Sequence, residues 1–219
     1  KQLRENSIQV HNTLIKHQED EGWKESRVRE LQRLNTNIIS NISRCSPKQL
    51  SYPRLIHLET LSQCNAACNF CPYPTLERKG NKMADSVIEK VINDLVDIPK
   101  SHTFSFLPYK VSEPFLDVRI FDILHNVNDI LPNASIYMYS NGSVLTEKNI
   151  QRLSQVKIKQ LFISLNEYQE KPYEELMHIP FQRTYNCLKL LHKKKASGEF
   201  IHKVSIGRVM NNTPDDLHF

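Results

Sequence analysis

Three observations predict an α/β chain built on a parallel sheet. From Arg54 onward, short strand-like runs alternate with stretches that carry an apolar helical stripe. Each strand-like run leads into a helix or a helix start through a short connection, and repeated βα units of that kind imply a parallel sheet with helices on its outer face. The 219 residues are 39% hydrophobic, enough to fill a core for one domain and an appendage.

Residues 1–50 read as an N-terminal helical extension. They are polar, with Val28, Leu31, Leu34, Ile38 and Ile42 on one stripe at spacings of three and four. A break between two helices is expected at 19–22, and His11 and His17 read as surface residues. Ser46-Pro47 and Tyr52-Pro53 punctuate the passage into a core of 51–219. There, 55–61 reads as the first strand, followed by a long cysteine-bearing loop. A helix over 86–97 follows, with a capping box Ser86-x-x-Glu89 and an apolar face of Ile88, Val91, Ile92 and Leu95. The second strand is 103–107, and the next helix shows Ile120, Leu124, Val127 and Leu131 on one side. The third strand, 135–139, ends at Asn141-Gly142, where glycine supplies a positive φ. Thr146 caps a short helix running to about Gln155. The fourth strand is 160–165, one long helix covers 172–196, and the fifth strand is 203–209. Thr213-Pro214-Asp215 starts a further helix, with proline in its first turn.

Charge and cysteine content exclude several classes. Lys plus Arg number 29 against 24 for Asp plus Glu, a mild balance spread along the chain. The densest run, Lys193-Lys194-Lys195, ends a helix, where cations complement the dipole. With no aromatic-interleaved basic stretch, nucleic-acid binding is not expected. Neither a signal peptide nor an apolar run near the ~20 residues of a membrane span is present. The cysteines number five, three of them within eight residues, unlike a disulfide scaffold; the expected compartment is the reducing cytoplasm. A first residue Lys1 and a last segment that stops as a helix begins read as an excerpt of a longer protein.

The chemistry concentrates in Cys64-x-x-x-Cys68-x-Phe70-Cys71-Pro72. A structural zinc site wants four closed ligands, and no second Cys-x-x-Cys pair is present. His102 lies beyond a helix, while Cys45 and Cys187 read as small buried hydrophobes. An electron-transfer cluster takes four cysteines. Three leave one iron with an open position, which turns a metal clip into a reactive site. The loop follows the first strand, at the carboxyl end of the sheet, where α/β folds do their chemistry.

This motif after a first strand resembles the signature of the radical S-adenosylmethionine (SAM) superfamily, and the resemblance covers residues 54–219. It implies a partial (β/α)6 TIM-like barrel, of which five units are visible. It also implies a 4Fe–4S cluster on Cys64, Cys68 and Cys71, with SAM chelated by the fourth iron and cleaved reductively to methionine and a 5′-deoxyadenosyl radical. That radical abstracts hydrogen from a peptide, protein or small-metabolite substrate, with a flavodoxin- or ferredoxin-type electron donor. Ser112-Glu113-Pro114 is similar to the end of the family's Gly-Gly-Glu segment, which receives the methionyl ammonium, although the glycines are missing; a helix N-terminus with a favourable acid is the plainer reading. Ser140-Asn141-Gly142 resembles the turn after the family's third strand, which places Ser140 and Asn141 near the SAM carboxylate or ribose. Ser164 and Asn166 share a strand face, and the resemblance assigns them to the ribose. Arg208, among Ile206, Val209 and Met210, needs a partner for its charge: a SAM carboxylate, a substrate acid or an internal salt bridge. Phe70 falls beside adenine, and His57 and Glu59 point into the barrel. The motifs look most like the branch with a C-terminal SPASM domain, whose auxiliary Fe–S clusters would lie beyond residue 219. A non-catalytic module stabilised by zinc or by an electron-transfer cluster is the alternative, and a homologue that keeps the cluster without turnover is a third reading.

Overall fold

The computed structural model describes residues 22–44 and 52–209. His11, His17, the start of the expected break at 19–22, Cys45, Met210 and the helix start at Thr213 lie outside those residues, as does the side chain of Ile42. The chain divides into two compact units, Lys1–Tyr52 and Pro53–Phe219. In the first, α1 (Gly22–Arg44) carries Leu31, Leu34 and Ile38 at helical spacing, all exposed.

The second unit is a five-stranded sheet in the order β1 (Leu55–His57), β2 (Phe104–Leu107), β3 (Ala134–Ser140), β4 (Gln160–Ser164), β5 (Lys203–Gly207). Every neighbouring pair is parallel. The crossovers are α2 (Asp85–Asp94), α3 (Ile120–Ile130), α4 (Glu147–Ser154) and a last pair, α5 (Glu170–Met177) and α6 (Phe181–Ala196). Strand alternation sends Phe104, Phe106, Ile136, Met138, Leu161 and Ile163 to one face. With Ile92, Ile120, Leu124, Val127, Ile150 and Leu153 from the helices, these side chains form the buried core. Each large apolar side chain so buried contributes about 1.5–3 kcal/mol. The architecture is that of a partial barrel with helices outside, as the sequence predicts. Among the described residues, no helix is long and apolar enough to cross a membrane.

Several elements differ from expectation, each for a physical reason. The first strand stops at His57, because the chain beyond it takes other partners. Ser62 N–H donates to Asn81 O (2.8 Å), Met83 N–H to Thr60 O (2.9 Å) and Gly80 N–H to Ser62 O. Residues 60–62 therefore close against 80–83 and form a neck beneath the cysteine loop. The capping box at Ser86 does not form. Helix α2 begins one residue earlier with Ala84 as an N-cap without a side-chain bond, and Asp85 in its first turn pairs with Arg119. The single long helix is two, since His178 adopts a left-handed conformation (φ 54°) and Pro180 caps α6. Proline offers no N–H and disfavours helix in the residue before it. Strand β5 ends at Gly207, so Arg208 lies just past the strand and not within it. Thr146 does cap α4, accepting from Asn149 N–H (3.3 Å), and Gly142 has φ 76°.

Candidate metal centre

Above the neck, the cysteine loop has little regular structure and is held by specific bonds. Cys71 N–H closes a tight turn on Cys68 O (2.9 Å). The loop then docks on the C-terminal end of α5. Asn69 N–H donates to Leu176 O (3.0 Å), Ala67 N–H to Met177 O (3.3 Å) and Asn69 Nδ2 to Glu175 O (3.1 Å). These bonds satisfy carbonyls that a helix end leaves without partners. His178 Nε2 lies 2.7 Å from Asn69 Oδ1 and completes the latch. The helix break at 178–180 thus creates the anchor for the loop. Beneath it, Ala66, Tyr173, Met177 and Ile179 form a small apolar core on which Cys64 and Cys68 pack.

The thiols interact electrostatically. Burial chiefly, together with the charges of Glu113 and Cys71, pushes Cys64 up to about 11, against the N–H groups of Ala66 and Asn65. Burial and the charges of Cys64 and Cys71 push Cys68 up to about 12. Free thiolates are therefore costly here, and a positively charged centre would relieve that cost. Among the described residues, no three or more His, Cys, Asp or Glu side chains converge on a single ion. By residue type, three cysteine thiols with no fourth cysteine beside them among the described residues are a donor set that could take three irons of a 4Fe–4S cluster, one thiolate each.

A second group of residues ties the loop to the strand ends. Glu113 N–H donates to Gln63 O (2.8 Å), next to the first cysteine. Its carboxylate accepts Ser140 Oγ–H (2.8 Å) and Phe115 N–H (3.3 Å) on one oxygen, and Asn141 N–H (2.8 Å) on the other. Burial pushes this carboxyl up to about 7, even though those three donors pull it down. Asn141 Nδ2 donates to Asn65 Oδ1 (3.0 Å) and lies 4.0 Å from Cys64 Sγ. The turn that follows is tight. Ser140 Oγ accepts Gly142 N–H (2.9 Å), and a Cβ on Gly142 would come within 3.2 Å of Ile163 Cγ2.

The structure thus brings Cys64, Glu113, Ser140 and Asn141 into one connected network. It reaches Cys68 from another side. Asn166 is buried after β4, donates to Met177 Sδ (2.9 Å) and accepts Val209 N–H (2.8 Å), while Met177 Sδ lies 3.4 Å from Cys68 Sγ. Phe70, Ser112 and Ser164 sit at the carboxyl ends of the strands but outside this network, with Phe70 exposed and the two serines half-buried. Arg208 is half-buried just beyond β5. Glu59 is taken up by the neck, where it pairs with Arg78 and accepts Val111 N–H (2.8 Å). His102 contacts Pro53 O, and Cys187 is buried.

Sequence reasoning missed three features. Buried Asp117 pairs with half-buried Arg119, which also holds Asp85, Met83 O and Thr60 O. Met177 was read only as part of a longer helix. On the sheet face opposite the helical core, rings follow one another across the strands. His57 meets Tyr109 at 5.9 Å, Tyr109 meets Tyr139 at 5.5 Å, and Tyr139 stacks on Phe162 at 4.1 Å. The alternation of Tyr137 and Tyr139 with Ile136 and Met138 was the available signal for that series.

Comparison with known proteins follows the same lines. The family model described as the Radical SAM superfamily matches residues 58–210. The S-adenosyl-L-methionine-dependent 2-deoxy-scyllo-inosamine dehydrogenase of Niallia circulans is 29% identical over 111 residues, which is 50% of this chain and 44% of that protein. SuiB of Streptococcus suis bound to S-adenosylmethionine superposes with a TM-score of 0.58 at 15% identity, over 97% of this chain and 46% of that one. Native anSMEcpe with bound AdoMet and Cp18Cys peptide gives 0.56 at 18% identity, over 71% and 42%. These structures share the fold. The chain spans less than half the length of each of these three relatives.

Proposed function

The chain belongs to the radical SAM superfamily, and we propose that it holds a 4Fe–4S cluster on Cys64, Cys68 and Cys71 and binds SAM beside it. The observation that carries this reading is the loop itself. It presents three half-buried thiols at the carboxyl end of a parallel sheet, inside the matched segment, where desolvation makes free thiolates of Cys64 and Cys68 costly. When bound, the cluster supplies the electron that cleaves the sulfonium of SAM into methionine and a 5′-deoxyadenosyl radical, which takes a hydrogen atom from the substrate.

The protein's own work is to hold and orient. Ser112 and Glu113 receive the methionyl ammonium, and an arriving cation favours the ionised form of a carboxyl that burial has raised to about 7. Ser140 and Asn141 hold the carboxylate or ribose, and Asn141 keeps its bond to Asn65 so that cofactor and cysteine loop move as one body. Ser164 and Asn166 serve the ribose, Arg208 a carboxylate, and Phe70 the adenine. The ring series from His57 to Phe162 offers an aromatic surface for a C–H-rich substrate, either a peptide or a small metabolite. The peptide held by anSMEcpe and the small molecule in the name of the Niallia dehydrogenase are the precedents for those two classes. A flavodoxin- or ferredoxin-type protein supplies the electron in the cytoplasm. Residues 1–50 form the N-terminal extension and 51–219 the radical SAM core, in the branch that carries auxiliary clusters.

Anaerobic reconstitution tests this. Brown, oxygen-sensitive protein with about four irons per chain is expected, along with 5′-deoxyadenosine when SAM and a reductant are added. Cys64→Ala, Cys68→Ala and Cys71→Ala should each abolish that product, and Cys45→Ala should not. Stoichiometric zinc in anaerobically prepared protein, or an active Cys68→Ala variant, would overturn the reading.

A further inference from the structure

The three thiols are not equivalent. Cys64 Sγ accepts the N–H of Ala66 (3.5 Å) and has the Asn141 amide nearby. Cys71 Sγ accepts the N–H of Tyr73 (3.5 Å). Cys68 turns toward Met177, whose Sδ lies at 3.4 Å and whose carbonyl oxygen lies at 3.9 Å. Apart from its own peptide N–H, the Cys68 sulfur faces electron-rich atoms that donate nothing once its proton is gone.

Met177 is held at both ends. Its carbonyl accepts Ala67 N–H (3.3 Å) from the cysteine loop, and its sulfur accepts Asn166 Nδ2–H (2.9 Å). The residue is 2% exposed, in the small core formed with Ala66, Tyr173 and Ile179. So held, it fills the space beside the Cys68 sulfur.

Hydrogen bonds to ligand sulfurs and exposure to solvent both raise the reduction potential of an iron–sulfur cluster, because reduction adds negative charge that donors and water stabilise. We propose that Met177 is a positioning residue that keeps the Cys68 corner dry and free of donors, and thereby keeps the cluster strongly reducing. This rests on the cluster assignment above. It gives a function to α5, the short helix whose last turn brings Met177 to Cys68.

The experiment is a redox titration of the reconstituted protein followed by electron paramagnetic resonance, with iron counted in each sample. Met177→Gln places an amide donor on a side chain of similar length. It should move the reduction equilibrium toward the reduced cluster by about tenfold, which is about 59 mV for a one-electron couple. Met177→Leu keeps the site apolar and should stay within about twofold of the parent, since the donor and not the packing sets the shift. Equal potentials in Met177→Gln and the parent, both fully loaded, would overturn the inference and leave the cluster assignment standing. A parent with no 4Fe–4S signal would instead remove the assignment itself. A second measurement needs no cluster. In metal-free protein, iodoacetamide should label Cys68 most slowly of the three, and Met177→Ala should accelerate Cys68 several-fold while leaving Cys71 unchanged. Equal acceleration of all three would reveal general loosening and count against the proposal.

Discussion

Glu113 and Asp117 lie four positions apart on the segment after β2, and both are 2% exposed. They are treated in opposite ways. Three neutral donors meet Glu113, and burial still pushes its carboxyl up to about 7. Burial would raise Asp117 too, but the hydrogen bonds and charge of Arg119, with the Thr60 hydroxyl, outweigh it and hold this carboxyl below its ordinary value. The difference follows the direction each side chain faces. Asp117 locks the chain at the start of α3, where its partners are Arg119 and the Thr60 hydroxyl. Glu113 points to the strand ends beside the cysteine loop, where its hydrogen bonds come from neutral donors: the Ser140 hydroxyl and the Phe115 and Asn141 N–H groups.

Removing the guanidinium should break this contrast most severely. Arg119→Leu leaves Asp117 as a buried carboxylate without its counter-ion and also removes one partner each from Asp85, Met83 O and Thr60 O. Losing one partner of a buried pair costs about 3–5 kcal/mol, and urea denaturation at pH 7 should show it. The loss should shrink on acidification, because an unpaired Asp117 can then take up a proton. A loss below about 1 kcal/mol, the range of exposed ion pairs, would mean that Arg119 does not neutralise Asp117.

The pH dependence of stability should show the other half. Folding lifts Glu113 from 4.5 to about 7, so between those values the folded protein keeps a proton that the unfolded chain has released. Stability should fall as pH rises through that window, by on the order of 3 kcal/mol. Asp117 has the opposite sign: its contribution is present above its ordinary value of 3.8 and is lost as pH falls through its lowered folded value. Denaturation midpoints of metal-free protein at pH 5 and pH 8 test this directly. Glu113→Gln should flatten the profile between them and cut SAM cleavage in the loaded enzyme by tenfold or more. An unchanged slope in Glu113→Gln would assign the pH effect to another group.

Much of the fold was readable along the chain because it depends on local periodicity. Five strands and their crossovers follow from apolar spacing, Thr146 from its place before a helix, and Gly142 from the Asn-Gly turn. What escaped depends on partners remote in sequence. Residues 60–62 alternate like a strand, yet they pair with the far end of the cysteine loop. Ser86 has the spacing of a capping box, but Asp85 starts the helix under the pull of Arg119, 34 positions away. At the site, the types and strand positions of Glu113, Ser140 and Asn141 drew attention to them. That Glu113 bonds to both of the others is visible only in three dimensions. Met177 and Cys68 are 109 positions apart, so no local pattern could join them. The break before Pro180 is different: its signal was present and was overridden by the apolar periodicity on either side.

The finest test removes one hydroxyl from each carboxylate. Ser140 Oγ–H donates to Glu113 (2.8 Å) and Thr60 Oγ1–H to Asp117 (2.8 Å), so the two deletions are matched in kind. They should not be matched in effect. Ser140→Ala also orphans the buried N–H of Gly142, which Ser140 Oγ accepts at 2.9 Å, and should cost about 2 kcal/mol. It should also push the Glu113 carboxyl further up, so that the fall in stability extends to higher pH. Thr60→Val preserves shape and leaves Asp117 its bonds to Arg119, two from the side chain and one from the backbone N–H. About 1 kcal/mol is the expected loss, nearly constant above pH 5, because the guanidinium still keeps Asp117 ionised. Thermal unfolding of the two variants side by side at pH 6 and pH 8 separates these outcomes. Should Thr60→Val prove as damaging as Arg119→Leu, the hydroxyl and not the cation would be what settles Asp117, and the distinction between the two carboxylates would fail on its paired side.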